Sequence, residues 1–252
     1  MTQQTNHALL KKIRIVLVNT SHPGNIGATA RAMKNMGLSS LYLVAPKEHP
    51  TLEAYRRSVG AIDVLDNAVI VKDLNQAISA CVWVAGTSAR LRTIEWPIFE
   101  PRECVQQCIQ HLESGEIAIV FGRENNGLTN DELEKCNALL HIPTNAEYSS
   151  LNLAAAVQVV CYEFRLALIQ EIKTKTNSKK HREDVLASTD QLDGMYQHLY
   201  EALGTLDFFG TNNPDVVMRR LKGLFNRANT TQREVSIVRG ICSAIQGKKR
   251  LR

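Results

Sequence analysis

Up to about residue 169 the chain alternates short apolar runs with segments of helical spacing. Residues 13–18, 41–44, 68–71, 82–85, 117–120 and 138–142 are the apolar runs. Most are continuous rather than alternating. Strands buried on both faces of a parallel sheet have this pattern, whereas half-exposed strands alternate. Between them, residues 28–36, 52–61, 74–80, 101–112 and 130–136 place apolar positions on one helical face. Thr129 with Glu132 three residues on fits a capping box. The pattern predicts an α/β fold around a mostly parallel sheet of about six strands.

The second part of the chain has a different rhythm. Residues 151 to about 171 have the spacing of one long helix. Residues 173–184 have no apolar period and many charges, which predicts a flexible basic linker over about 170–188. Residues 192–203, 214–227 and 231–245 are helical again. Asn213-Pro214 and Thr231 with Glu234 are helix starts. Val217, Leu221, Leu224 and Phe225 recur at helical spacing and give one of these helices a face to bury. The expected organisation is a domain over 1–169, the linker, and an all-α extension over 189–252.

Composition narrows the class. With 252 residues and 44% hydrophobic content, the chain can fill one large core and a small one. No stretch approaches the roughly 20 apolar residues of a membrane span. The first ten residues lack an apolar signal-peptide region. Cys81, Cys104, Cys108, Cys136, Cys161 and Cys242 are scattered, and four fall in apolar runs. None completes a zinc set, so a reduced, cytoplasmic protein without metal is expected. The net charge is +5, and residues 170–252 carry a net +6. A basic appendage on a near-neutral body suits a nucleic-acid phosphate backbone. A solvated helical surface has the same charge pattern.

Four loops follow strand-like runs. The turn after Val18 contains Asn25, Gly27 and Arg31 and runs into a helix. It lacks the glycine spacing and the downstream acid of a dinucleotide site. No phosphate-binding loop of the ATPase type occurs. A helix start there could attract a phosphate through its free N–H groups, with Arg31 forking onto it. An ordinary Asn cap followed by a surface arginine fits the same residues. The second loop runs from Gly122 through Glu124 to Gly127-Leu128 and can present backbone to an adenine or ribose, or simply turn. The third carries Ser149, Ser150, Leu151 and Asn152 before an apolar helix, where Ser and Asn act as caps. The fourth is Thr87-Ser88-Ala89. A hydrolase using Ser149 or Ser88 would need a histidine base, and the chain has no G-x-S-x-G elbow. His22 and His141 flank these loops without an assigned role. Trp83 reads as core; Trp96 either anchors its loop or stacks on a base.

Taken together, Asn25-Ile26-Gly27 with Arg31, Gly122 to Leu128, and Ile142-Pro143 with Ser149 to Leu153 resemble the three motifs of the SpoU branch of the SPOUT RNA methyltransferases. The resemblance covers residues 13–165. It implies a parallel sheet whose C-terminal part is threaded into a deep trefoil knot, against general topology rules. It further implies transfer of a methyl group from S-adenosylmethionine to a ribose 2'-hydroxyl by a homodimer. The implied cofactor residues are Thr87, Ser88, Ala89, Gly122, Ile142, Ser149, Ser150 and Leu151. The implied catalytic residues are Asn25, Arg31, Glu124 and Asn152. The segment Thr20 to Gly27 and the C-terminal helices narrow the resemblance to members acting on the pyrimidine at position 32 of the tRNA anticodon loop. Rival readings are a non-catalytic RNA-binding module and a methyltransferase acting on rRNA. A base role for Arg31 is chemically awkward, because a guanidinium is a poor proton acceptor. A phosphate clamp suits it better.

Overall fold

The computed structural model describes residues 9–49, 51–89, 96–174, 185–211 and 213–247. The chain divides into two compact units, Met1–Lys179 and Lys180–Arg252.

The described residues of the first unit form seven strands: β1 (Ile13–Val18), β2 (Ser40–Val44), β3 (Val69–Val71), β4 (Cys81–Thr87), β5 (Ile98–Phe99), β6 (Glu116–Phe121) and β7 (Ala138–Leu140). Their order across the sheet is β3-β2-β1-β6-β4-β7-β5, and neighbours pair in parallel. The continuous apolar runs are the central strands, and all six residues of β1 are buried. The unforeseen strand is β5. It has two residues, one exposed, so it leaves no hydrophobic period to read.

Helices α1 (Pro23–Met36), α2 (Leu52–Ser58), α3 (Ile62–Asp66), α4 (Leu74–Ile78), α5 (Pro101–His111) and α6 (Asn130–Leu133) lie between these strands, and α7 (Leu153–Thr174) follows the last. Alternate residues of β1 feed the two faces of the sheet. Ile13, Ile15 and Leu17 join a core with Ile26, Met33, Cys104, Val157 and Phe164. Val16 and Val18 join a second core with Leu74, Ile78, Leu133 and Cys136. All six cysteines are buried free thiols. Trp83 is 3% exposed, and Trp96 anchors its loop by donating from Nε1 to the Cys136 carbonyl at 2.6 Å.

Several boundaries differ from the sequence reading. The helix expected over 52–61 ends at Ser58, because Val59 and Gly60 take positive φ of 33° and 79°, and a separate helix starts at Ile62. Helix α1 starts at Pro23, five residues before the apolar period begins. Proline at the first helical position is preset for the turn, and the His22 side chain caps it by accepting from Gly24 N. Helix α7 runs through Thr174, so the first residues of the expected linker are helical; residues 175–184 of that linker lie outside the described residues.

The second unit packs α8 (Thr189–Thr205), α9 (Pro214–Arg227) and α10 (Gln232–Ile245) around Met195, Tyr196, Phe209, Met218 and Val235. Asn213 caps α9, and full capping boxes start α8 and α10. Val217, Leu221 and Phe225 pack on this core, whereas Leu224 is half exposed. The Tyr196 hydroxyl donates to Asn226 Oδ1 at 3.0 Å inside it. Lys248, Lys249, Arg250 and Arg252 lie outside the described residues.

Candidate functional site

The sheet register brings four strand ends to one edge. Leu17 stands opposite Phe121, Gly86 opposite Val120, and Thr87 opposite Leu140. Parallel α/β sheets bind ligands in the crevice beyond such carboxyl ends. Here that edge holds a cavity of about 350 Å³. Three loops line it: 87–89 after β4, 121–128 after β6, and the segment from Leu140 to the start of α7. Its floor is apolar, with Phe121, Leu140, Leu153 and Ala156.

All eight residues expected to hold a cofactor line this cavity: Thr87, Ser88, Ala89, Gly122, Ile142, Ser149, Ser150 and Leu151. Ser88 N donates to the Leu140 carbonyl at 3.0 Å, which fixes the 87–89 loop to β7. The ring of His141 meets the backbone carbonyl of Ser88 at 3.1 Å through Nδ1. Ser149 and Ser150 are exposed, and no histidine among the described residues hydrogen-bonds Ser149.

The loop after β6 is closed on itself. Arg123 N donates to the Gly127 carbonyl at 3.2 Å, and Gly127 N donates back to the Arg123 carbonyl at 2.9 Å. Gly127 holds the turn at φ 65°, a left-handed conformation natural to glycine. A Cβ on Gly122 would stand 2.1 Å from the Gly127 carbonyl carbon. Glycine is therefore required at Gly122 by the loop's own closure, whatever the cavity admits. Gly27 is also buried by protein rather than open to a ligand. A Cβ there would stand 2.1 Å from the Ala54 carbonyl oxygen of α2.

Of the four expected catalytic residues, the structure joins three. Glu124 Oε1 accepts from Asn25 Nδ2 at 3.0 Å and from His22 N at 3.2 Å. Its Oε2 accepts from Ser21 N at 3.1 Å and Ser21 Oγ at 2.9 Å. Asn25 Oδ1 in turn accepts from Asn152 Nδ2 at 3.0 Å. Asn152 Oδ1 caps α7 by accepting from Ala154 N at 3.0 Å. Partial burial disfavours the Glu124 charge, but the hydrogen bonds from Asn25 and the backbone outweigh it and hold the carboxyl down to about 2.

Of the two readings of the α1 start, a phosphate site and an ordinary cap, the cap is what forms: the His22 ring accepts from Gly24 N in the first turn, and Glu124 accepts from Ser21 N and His22 N just ahead of it. Arg31 stands apart from the cluster. It is exposed on α1, outside the cavity lining, with no hydrogen bond or ion pair to another described residue. Six positions separate it from Asn25, about 9 Å along the helix axis.

Sequence reading missed Ser21, His22 and Arg123. His22 had a usable signal, since His-Pro-Gly is a cap followed by proline at the first helical position. Arg123 had none, because its partners are not local.

Comparison with known proteins agrees with this geometry. The SpoU rRNA Methylase family matches residues 12–162, and the description "tRNA methyltransferase TrmJ, C-terminal domain" matches residues 190–252. The family match over residues 12–162, on a parallel sheet whose cavity lies between two of the three motif loops, makes this an RNA methylase of the SpoU class. The chain belongs to that family, and within it to the TrmJ type. It is 48% identical to the tRNA (cytidine/uridine-2'-O-)-methyltransferase TrmJ of Sodalis glossinidius (strain morsitans), covering 94% of this chain and 92% of the relative. It is also 48% identical to the tRNA (cytidine/uridine/adenosine-2'-O-)-methyltransferase TrmJ of Pseudomonas aeruginosa (strain UCBPP-PA14), over 94% and 95% of the two chains. Among solved structures, TrmJ from Z. mobilis ZM4 superposes with a TM-score of 0.78 at 30% identity, covering 92% of this chain and 98% of that one.

Proposed function

We propose that this chain methylates the ribose 2'-hydroxyl of a pyrimidine at position 32 in the tRNA anticodon loop, using S-adenosylmethionine. The observation that carries the reading is the cavity between the Gly122–Leu128 and Ile142–Leu153 motif loops and the 87–89 loop, tied to the first motif through the Glu124–Asn25–Asn152 chain. The C-terminal match to a tRNA methyltransferase domain favours tRNA over rRNA. The assignment to position 32 rests on the sequence resemblance.

The cavity fits the cofactor in kind. Its volume of about 350 Å³ lies in the range of small-molecule sites, roughly 300–1,000 Å³. Apolar floor residues suit an adenine, and the exposed Ser149 and Ser150 bring hydroxyls to its lining. When bound, S-adenosylmethionine supplies the electrophilic methyl group.

The protein's own groups position the acceptor. Glu124 is ionised throughout the physiological range and saturated with donors, so it is a poor general base. It orders Ser21, His22 and Asn25 instead. Arg31, without a hydrogen-bond or ion-pair partner among the described residues, clamps an RNA phosphate and stabilises charge developing on the ribose oxygen. The basic second unit holds the tRNA backbone.

The family's knot and homodimer complete the proposal. Insertion of β7 between β4 and β5, both laid down earlier in the chain, supports a threaded C-terminal part. The distance of Arg31 from the Asn25 cluster suits a site completed by a second copy. No helix among the described residues is long and apolar enough to cross a membrane, and no cluster there could hold a metal ion. A cytoplasmic location follows from the proposed substrate.

The test is methyl transfer to anticodon stem-loops carrying C, U or A at position 32. The two relatives of equal identity differ in whether their names include adenosine, so all three bases are needed. Methylation of the C and U substrates at the ribose is expected. Failure to bind S-adenosylhomocysteine in calorimetry would leave a non-catalytic RNA-binding module.

A further inference from the structure

Arg123 lines the cavity, yet its guanidinium does not face a ligand. Nη1 and Nη2 each donate to one oxygen of Glu132 at 2.9 Å, a bidentate fork. Nη2 also donates to Asn19 Oδ1, and Nη1 reaches the Gly127 carbonyl at 3.4 Å. Hydrogen bonding to Glu132 pushes the Arg123 pKa further up. Burial opposes the Glu132 charge, but the Arg123 fork and the Thr129 backbone pull its carboxyl below the usual range.

Each partner ties the loop to a different element. Glu132 is the third residue of α6, where it also accepts from Thr129 N at 2.8 Å in the capping box. Asn19 follows β1 at a positive φ of 49°, and its own Nδ2 donates to the Ala45 carbonyl after β2. Gly127 closes the loop itself. Arg123 therefore joins three points, of which Gly127 lines the cavity and Glu132 and Asn19 stand behind it. Its neighbour Glu124 grips Ser21, His22 and Asn25 from the same loop. Adjacent residues of opposite charge thus fasten the loop to both ends of the 19–25 segment.

We infer that Arg123, through its fork to Glu132 and its bond to Asn19, is a positioning residue that holds the cofactor loop in its binding shape. The inference rests on the cofactor reading above. Arg123 has no free donor pair to offer the cofactor carboxylate, so its contribution is made through the loop. A brace on the cofactor side predicts a defect in cofactor handling and little in tRNA handling.

The experiment measures Kd for S-adenosylhomocysteine, and KM separately for S-adenosylmethionine and tRNA, in wild type, Arg123→Ala, Arg123→Lys and Glu132→Ala. Both alanine variants are expected to raise the cofactor Kd and KM at least about tenfold, with the tRNA KM within about twofold of wild type. Arg123→Lys is expected to recover little, since an ammonium cannot reproduce the fork. Near-wild-type cofactor affinity in folded Arg123→Ala would overturn the inference. Should Arg123→Ala not fold, Arg123→Lys decides: wild-type affinity there overturns the brace, and a tenfold loss with normal thermal stability supports it. Absence of S-adenosylhomocysteine binding by the wild-type protein is a different failure, which overturns the cofactor reading and the brace with it.

Discussion

Asn25 and Glu124 lie 99 positions apart in the chain and meet at 3.0 Å through Nδ2 and Oε1. Asn25 is the central member of the chain from the loop after β6 to α7, because its other side-chain atom accepts from Asn152. Asn25→Asp keeps the shape but replaces a donor with a second carboxylate beside Glu124. Like charges at this range repel, and the link to Glu124 is lost. Activity on tRNA is expected to fall at least about tenfold, about 1.4 kcal/mol of barrier. Steady-state methylation of an anticodon stem-loop measures it, and an unchanged kcat/KM would remove Asn25 from the positioning chain.

Glu124 sets an acid dependence of stability. Its carboxyl falls from an ordinary value of 4.5 to about 2 in the folded protein. A depressed folded pKa contributes stability above the unfolded value and loses it as pH falls toward the folded one. The window is therefore roughly pH 4.5 down to 2. Glu124→Gln removes this contribution, so its stability should fall less steeply over that range than wild type. Denaturant melts at several pH values across the window give both slopes. Parallel slopes would mean that the hydrogen bonds seen at Glu124 do not favour its charged form.

Arg31→Ala is expected to lower activity at least about tenfold while S-adenosylhomocysteine affinity stays within about twofold of wild type. Arg31 lies outside the cavity lining and has no described partner to disturb. Arg31→Lys should rescue little if a guanidinium fork onto phosphate is needed. Normal turnover by the alanine variant would exclude Arg31 from the reaction.

The fold was legible where one short segment carries its own signal. Continuous apolar runs marked the central strands, and Thr129–Glu132 and Thr231–Glu234 marked capping boxes that both form. The strand order was not legible, because nothing local records that β6 enters between β1 and β4. The cavity residues were found through motif resemblance, since Thr87, Gly122 and Ser149 converge only after the sheet is assembled. The packing role of two glycines was not legible either, because the backbone that Gly27 and Gly122 each meet comes from another element or from the closed loop. Arg123 and Glu132 are nine positions apart and belong to different elements, so no helical or strand spacing pairs them.

Those two glycines give a paired prediction. Gly27→Ala drives a methyl against the Ala54 carbonyl, where neither backbone can yield cheaply. It should cost about 1–3 kcal/mol of stability, with cofactor affinity nearly unchanged in the folded fraction. Gly122→Ala strikes the backbone of Gly127 and Leu128 inside the cofactor loop. It should weaken S-adenosylhomocysteine binding at least about tenfold. Thermal melts beside calorimetric titrations separate the two. Equal effects of both variants on cofactor affinity would contradict the assignment of Gly27 to helix packing alone.

The second unit carries the last prediction. Arg219, Arg220, Lys222 and Arg227 crowd α9, while Val217, Leu221 and Phe225 of the same helix pack on the unit's own core. The helix thus has an inward apolar side and a basic remainder, which suits a phosphate backbone without any base contact. Cutting the chain between the two compact units leaves Met1–Lys179 with both sheet cores, the cavity and the Asn25–Glu124–Asn152 chain. That fragment is expected to keep its affinity for S-adenosylhomocysteine and to lose most of its affinity for tRNA. Its remaining tRNA binding should depend less steeply on salt, because each phosphate contact removed lowers the slope by about one. Filter-binding titrations of both forms across several salt concentrations give affinity and slope together. A fragment with weaker binding but an unchanged slope would mean that the second unit acts by some route other than phosphate contact. Equal affinities and equal slopes would mean that its basic residues are a solvated surface.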